Sequence, residues 1–332
     1  MRLSFALPDI CAGASLQLPR PLYFRMNHAH SLNELHLQNS WLTVGVFDGV
    51  HRGHQQIIKK LTAGAHKVNT PAVVLTFWPH PATVLGRGEV KCLTTPDERA
   101  ELLGSYGVDF VVTHPFDLSV ANLSAREFVS GLKRHLGVKH LLMGYDFALG
   151  KGREGNAARL AELGRELDYT AEVIEAVSDE SGVVSSTEIR KLVSLGDVAD
   201  AAKLLGHPYT LHGPVIHGDG RGRKINFPTA NMQYPEEKLI PSNGIYVCWA
   251  WTKGAKRAAA VNIGLRPTFE NDAKKPMVEA YLLDFDQDIY GEDVRLEFVA
   301  RLRDELKFNS VDALVEQMHN DVKRTREVLR LQ

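Results

Sequence analysis

The chain has 332 residues, above the size at which one hydrophobic core usually stays single, so two domains of ordinary size are expected. Hydrophobic residues at 44% and charged residues at 24% match a globular enzyme and argue against disordered or fibrous classes. A net charge of -1, with acids and bases interspersed, offers no field for nucleic acid or an anionic membrane, so any phosphate site must be built locally.

No apolar run approaches the roughly 18 residues of a membrane span, and Pro8 and Asp9 break any signal-type core. Cys11, Cys92 and Cys248 lie far apart in no metal-like spacing, which suits a reducing compartment, so the protein reads as cytoplasmic. Residues 1–35 show no clean period and read as an N-terminal extension, open to disorder, with Met26 as an alternative start.

The first clear element follows Trp41. Leu42-Thr43-Val44-Gly45-Val46-Phe47 is an apolar, β-branched run ending in Asp48-Gly49, the pattern of a buried strand and a turn. A helix over 55–65 follows, with Ile57, Ile58 and Leu61 on one side. The alternation repeats: strand 72–77, helix 97–106, strand 110–112, helix 125–136, strand 140–143, helix 157–167 and strand 171–177. That order predicts an α/β domain with a doubly wound parallel sheet, whose ligands sit beyond the carboxyl ends of the strands. Helices over 187–195 and 197–205 read as a linker, spanning 191–207 between a first domain at 36–190 and a second at 208–332. Beyond it the period becomes 2, with strands at 209–217, 244–252, 258–264, 276–283 and 294–302, which predicts a small antiparallel β-barrel closed by a helix over 311–331.

His51 and His54 are three residues apart just after the first strand. If a helix begins near Gly53, both imidazoles project from one side of its first turn. Free backbone N–H groups and the helix dipole attract a triphosphate there, and two imidazoles can donate to phosphate oxygens as charge builds. Gly49 and Gly53 let the backbone approach closely. The same residues also fit an ordinary turn with no function.

Ser185-Ser186-Thr187-Glu188-Ile189-Arg190 places hydroxyls and a cation at a helix start. It suits phosphate binding, with Arg190 neutralising a leaving pyrophosphate, and equally suits plain capping. Gly150-Lys151-Gly152-Arg153-Glu154-Gly155 satisfies G-x-G-x-x-G, but its first Gly comes well after the expected strand end. It reads as a Lys/Arg loop near phosphates, with a dinucleotide fingerprint or a solvent loop as alternatives. The chain contains no P-loop motif.

In the second half, Gly213-x-Val215-x-x-Gly218-x-Gly220-Arg221-Gly222-Arg223 leads to Phe227-Pro228-Thr229-Ala230-Asn231. Glycines at these spacings permit a tight loop over phosphates, and a solvent hairpin is the plainer alternative. Thr229 and Asn231 offer hard oxygen ligands suited to Mg²⁺ bridging nucleotide phosphates.

Together, Gly45-x-Phe47-Asp48-Gly49-x-His51-x-Gly53-His54 and Ser185-Ser186-Thr187-x-Ile189-Arg190 resemble the H-x-G-H nucleotidyltransferases, specifically the adenylyltransferase half of bacterial riboflavin kinase/FAD synthetase. The Phe227 to Asn231 segment, Asn262-Ile263-Gly264-x-Arg266-Pro267-Thr268 and Glu279-Ala280-Tyr281-Leu282-Leu283 resemble the riboflavin kinase half. The resemblance runs from about Leu42 to the C-terminus. It implies a Rossmann-like nucleotidyltransferase domain followed by a riboflavin kinase barrel, converting riboflavin to FMN and FMN to FAD with ATP as co-substrate and Mg²⁺ as cofactor.

By the resemblance His51, His54 and Arg190 are catalytic in adenylylation, with Ser185, Ser186, Thr187, Gly45, Phe47, Asp48 and Asp146 around ATP; for Asp146 a plain loop role is equally open. The segment Phe77-Trp78-Pro79-His80-Pro81 also matches, either packing on isoalloxazine or serving as a rigid loop. In the kinase half the resemblance makes Glu279 the base for the ribityl hydroxyl. It puts ATP at Gly213, Gly218, Arg221 and Gly222, metal at Thr229 and Asn231, and flavin at Arg303 and Phe308. Arg303 also fits a simple salt bridge. Asn226 stands where family members carry Gly. The competing functions are FAD synthesis alone with a weakened kinase, a flavin- or nucleotide-binding regulator without turnover, and an NAD-dependent oxidoreductase. The expected partners are riboflavin, FMN, FAD and ATP, with no nucleic acid and no membrane.

Overall fold

The computed structural model describes residues 26–175, 178–179, 182–218, 220, 222–225, 227–265 and 276–331. Most of the expected N-terminal extension, Arg221, Asn226 and Arg266-Pro267-Thr268 therefore lie outside the described residues.

The first half is a six-stranded sheet, flanked by helices. In chain order it contains β1 (Asn27–Ala29), β2 (Ser40–Val44), α1 (Arg52–Lys67), β3 (Ala72–Trp78), α2 (Pro81–Val84) and α3 (Pro96–Ser105). It continues with β4 (Phe110–Pro115), α4 (Leu118–Ala121), α5 (Ala125–Leu136), β5 (Val138–Gly144), α6 (Ala157–Leu167) and β6 (Thr170–Ile174). The strand order is β1-β4-β3-β2-β5-β6, every pairing is parallel, and the chain reverses direction across the sheet beside β2. Ligand crevices form at such switch points, beyond the carboxyl ends. Strand β1 falls inside the stretch expected to be an extension; three residues with no alternation are too short to signal a strand, and only pairing with β4 makes them one.

Local signals set the helix boundaries. Thr95 and Glu98 form a capping box before α3, Ser124 and Glu127 form another before α5, and Gly137 ends α5 in the left-handed conformation. Helix α5 buries Phe128, Val129, Leu132 and Leu136 against one face of the sheet, while α1 buries Ile58, Leu61 and Ala65 against the other. Each such Leu or Val, fully buried, stabilises by about 1.5–3 kcal/mol.

After the short pair β7 (Ser178–Asp179) and β8 (Gly182–Val183) come α7 (Ser186–Leu195) and α8 (Val198–Leu205). The barrel comprises β9 (Tyr209–Ile216), β10 (Ala230–Met232), β11 (Gly244–Thr252), β12 (Ala255–Leu265), β13 (Pro276–Leu282) and β14 (Asp293–Arg303), closed in the order β10-β13-β12-β11-β14-β9, and is followed by α9 (Val311–Val328). Burial alternates residue by residue along β9, the signature of a strand with one face in a core. Helices α7 and α8 do not behave as a linker. Ile189, Val193, Val198, Ala201 and Leu205 share one core with Tyr209, Leu211 and Phe298 of the barrel. Their apolar stripes were visible in the sequence, but which body they would cover was not.

Candidate active sites

The H-x-G-H residues lie where β2 leads into α1. His51 is the N-cap of α1, and its Nδ1 accepts the backbone N–H of His54 at 3.4 Å. A neutral His51 therefore carries its proton on Nε2. His54 stacks on it with ring centroids 3.6 Å apart, and Phe47 meets His54 edge-on at 5.0 Å. Burial lowers the His51 pKa to about 4, opposed by Asp48 and reinforced by Arg190. Burial, then His51 and Arg99, hold His54 well below its ordinary value. Both imidazoles are thus neutral donors near pH 7 rather than cations.

The turn itself is strained. Phe47 and Val50 have φ of 51° and 40°, and a β-branched residue at positive φ is a genuine outlier. Its surroundings hold it. Gln55 Nε2 donates to the carbonyls of Val50 at 2.8 Å and of Leu205 at 2.6 Å. A side chain at Gly49, where φ is 77°, would meet Leu93 at 2.8 Å and Leu205 at 3.1 Å.

Asp48 is completely buried. Its carboxylate accepts the N–H groups of Leu93 and Thr94 at 3.0 Å, pairs with Arg190 at 2.7 Å and lies 3.7 Å from Arg99. Burial alone raises its pKa, but Arg99, Arg190 and the two backbone donors outweigh that and leave it below the ordinary carboxyl value. Asp48 was expected beside ATP; instead its oxygens are turned to protein partners, and it holds Arg190. Phe47, 3% exposed, likewise supports His54 rather than facing solvent, and a Cβ on Gly45 would lie 3.0 Å from the Phe47 ring, a tight contact.

Helix α7 begins next to α1: a Cβ on Gly53 would be 3.8 Å from the Val184 carbonyl. Ser185 caps α7 by accepting from Glu188 N–H, Ser186 Oγ donates to the Asp48 carbonyl at 2.9 Å, and Thr187 is exposed. Arg190 donates Nε to the Lys91 carbonyl at 3.1 Å. Two helix N-termini, two imidazoles and one guanidinium thus meet in one place. His80, the N-cap of α2, joins them closely enough that, after burial, Arg190 is the largest influence lowering its pKa. Asp146 sits exposed after β5, its carbonyl accepting from Arg153 at 2.8 Å. The G-x-G-x-x-G loop has a packing reason: Cβ atoms on Gly150 and Gly155 would meet Ala125 atoms at 2.7 and 2.8 Å.

The barrel holds a cavity of about 680 Å³. Asn231, Glu279 and Asn262 line it side by side, because Glu279 of β13 is in register with Asn231 of β10 and with Asn262 of β12. Among the described residues the buried Asn262 Oδ1 has no hydrogen-bond partner, an acceptor left for something else to satisfy. Thr229 belongs to the same lining. Gly218 and Gly222 are fixed by close approach: Cβ atoms would lie 2.1 Å from Asn231 Nδ2 and 2.2 Å from the Phe227 carbonyl. Gly213 does not line the cavity. It lies within β9, where a Cβ would strike the Gln233 carbonyl at 1.9 Å, so its spacing to the glycine loop reflects strand packing.

Phe308 and Arg303, both expected on the flavin side, line the cavity. The Arg303 guanidinium, however, is paired with Asp321 of α9 at 2.9 and 2.5 Å and donates to the Asp304 carbonyl, so it clamps the helix to the barrel. Sequence reasoning missed α9 as a wall of the cavity. Leu314, Met318 and Val322 line it, and their spacing of four was the available signal. Among the described residues no cluster of His, Cys, Asp and Glu suits a metal, and no helix is long and apolar enough to cross a membrane. Thr229 and Asn231 in one cavity suit Mg²⁺ held jointly with nucleotide phosphates, which does not require an all-protein cage.

Residues 33–188 match the family model of FAD synthetases, and residues 205–329 that of riboflavin kinases. The bifunctional riboflavin kinase/FMN adenylyltransferase of Listeria monocytogenes is 37% identical over 305 residues, covering 91% of this chain and 96% of that protein. The enzyme of the same name from Escherichia coli K12 is 35% identical over 301 residues, covering 90% and 95%. A crystal structure described as a macrolide-efflux protein from Streptococcus pneumoniae superposes with a TM-score of 0.82 at 33% identity, covering 91% of this chain and 99% of that one. With both family models matched in this order, and relatives aligned over nearly their whole length, the chain belongs to the bifunctional riboflavin kinase/FMN adenylyltransferase family.

Proposed function

We propose that the chain phosphorylates riboflavin to FMN in its barrel and adenylylates FMN to FAD at the H-x-G-H turn, using ATP in both steps. The observation that carries this reading is the joint presence of two chemically different polar centres in one chain. One is a dry turn with stacked neutral histidines and a fixed arginine; the other is an open cavity rimmed by oxygens.

In adenylylation an FMN phosphate oxygen attacks the α-phosphorus of ATP and the bond to pyrophosphate breaks. His51 Nε2–H, His54 and the free N–H groups at the start of α1 are suited to stabilise charge on the phosphoryl oxygens, while Arg190 neutralises the leaving pyrophosphate. Neutral imidazoles suit this role, since they donate hydrogen bonds without fixing a competing anion in the resting site. Ser186 and Thr187 add hydroxyls, and Asp146 faces the nucleotide from the loop after β5.

In the kinase step the ribityl 5′-hydroxyl attacks the γ-phosphorus in line, with Glu279 accepting its proton. Bound Mg²⁺, held by Thr229 and Asn231 with the phosphates, supplies charge neutralisation at the transferring group. Gly218 and Gly222 belong to the loop over the phosphates, and Phe308 contacts the flavin ring. Among the described residues the buried thiols of Cys92 and Cys248 form no disulfide, which favours a reducing, cytoplasmic setting.

Incubating the purified chain with riboflavin, ATP and Mg²⁺ and separating the products tests both steps, with FMN and then FAD expected. His51→Ala should cut FAD formation from supplied FMN by about 10²-fold or more while leaving FMN formation intact. A wild-type chain that makes no FAD from FMN would sink the adenylylation reading.

A further inference from the structure

We infer that Lys238, a residue of the barrel half, is a positioning residue for adenylyl transfer in the other half of the molecule. The inference rests on the adenylylation reading above.

The segment Lys91 to Thr95 is held from both sides. On one side it is strapped to the loop that follows β10. Cys92 and Lys238 form a parallel bridge, in which Cys92 N–H donates to the Glu237 carbonyl at 2.7 Å and Leu239 N–H to the Cys92 carbonyl at 2.9 Å. The Lys238 side chain is wholly buried. Its Nζ donates to the Leu93 carbonyl at 2.7 Å and to Glu98 Oε2 at 2.6 Å, and lies 4.9 Å from the centre of the Tyr209 ring. On the other side, the N–H groups of Leu93 and Thr94 bind the Asp48 carboxylate, and the Lys91 carbonyl accepts from Arg190.

Glu98 joins the two sides a second time. The same Oε2 that meets Lys238 accepts Thr95 N–H in the capping box of α3, and the next residue, Arg99, is the second cation beside Asp48. Arg190 is therefore aimed by Asp48, Asp48 by the Leu93–Thr94 amides and Arg99, and these in turn by Lys238. A buried ammonium is costly without partners, and both of its strong acceptors belong to the adenylyltransferase half. Removing the charge leaves the Leu93 carbonyl without its donor and Glu98 with the Thr95 N–H but no cation, and frees the segment on which Arg190 rests.

The test uses the full-length protein and reads two activities separately. Lys238→Met keeps the apolar stem and removes the charge. It should lower kcat for FAD formation from FMN and ATP about tenfold, with KM for FMN and the rate of riboflavin phosphorylation changed less than about twofold. Because Lys238 acts through Arg190, adding Lys238→Met to an Arg190→Lys chain should cost less than about twofold further. Glu98→Gln, on the opposite side of the contact, should reproduce the selective loss of kcat whether or not Lys238→Met folds. Unchanged adenylylation, an equal fall in both activities, or full additivity with Arg190→Lys would each overturn the inference. The wild-type chain's own FAD formation tests the underlying reading separately.

Discussion

The two candidate centres are built in opposite ways. The turn at His51 is dry and crowded: a strained backbone, stacked imidazoles and a fully buried Asp48 fix a few donors in place before any ligand arrives. The barrel cavity is roomy, about 680 Å³, and its chemistry comes from side chains at alternate positions on neighbouring strands, with an acceptor on Asn262 left unsatisfied. The first centre stores its organisation in the protein; the second leaves part of it to the ligand. Preorganised donors suit charge that develops on phosphoryl oxygens, whereas an open oxygen-lined cavity suits a large ring substrate and a metal-bound nucleotide.

The sharpest way to break this comparison is to remove Glu279, the base proposed for the barrel. Glu279→Ala should lower FMN formation by about 10³-fold, roughly 4 kcal/mol of barrier, and leave adenylylation of supplied FMN within about twofold. Parallel assays of the two half-reactions check it, and a loss in both would merge the centres into one functional unit.

Asp48→Asn probes the opposite property, the dependence of the dry turn on buried charge. Leaving Arg99 buried without its anion should cost about 3–4 kcal/mol of stability, measured by denaturant unfolding, and should reduce FAD formation more than FMN formation.

Acid should also separate the two halves. In the unfolded chain His51 takes up a proton near the ordinary histidine value of 6.5, whereas in the folded chain it resists protonation down to about 4. The stability this contributes is complete above the unfolded pKa and is lost as pH falls from 6.5 towards 4, about 3 kcal/mol at most. His54, lowered in the same direction, adds to the slope. Unfolding measured across that window should flatten in His51→Gln; an unchanged slope would remove the neutral histidine pair from the account.

The smallest effect concerns Ser185. As the cap of α7 it should cost about 1 kcal/mol when changed to Ala, with little change in KM for ATP. A large rise in KM with stability unchanged would return Ser185 to the phosphates.

Much of the architecture was legible in the sequence because it rests on local and periodic signals. The strand-to-helix alternation, the capping boxes at Thr95 and Ser124 and the change to period 2 after Tyr209 act within a few residues, and the H-x-G-H turn combines a strand end with a helix start. Glu279, by contrast, looks like any polar residue alternating on a strand, and only the family resemblance singled it out. Its setting beside Asn231 and Asn262 exists because three strands meet in one register of a closed barrel.

Tertiary structure alone decided the rest. It turned Asp48 from an expected nucleotide contact into a buried anchor, because the chain returns at Leu93 and Thr94 to satisfy its carboxylate. It took Gly213 out of the phosphate loop and engaged Arg303 with Asp321, since neither Gln233 nor α9 could be placed beside them from spacing. It packed α7 and α8 into the barrel core and set Lys238 against Glu98, the latter a contact between residues 140 positions apart. The sequence by itself determined the elements, their order and the residue types able to handle phosphate, because those depend on neighbours along the chain. Which of those residues face a ligand and which hold the others in place depends on long-range packing, and only the folded chain decided it.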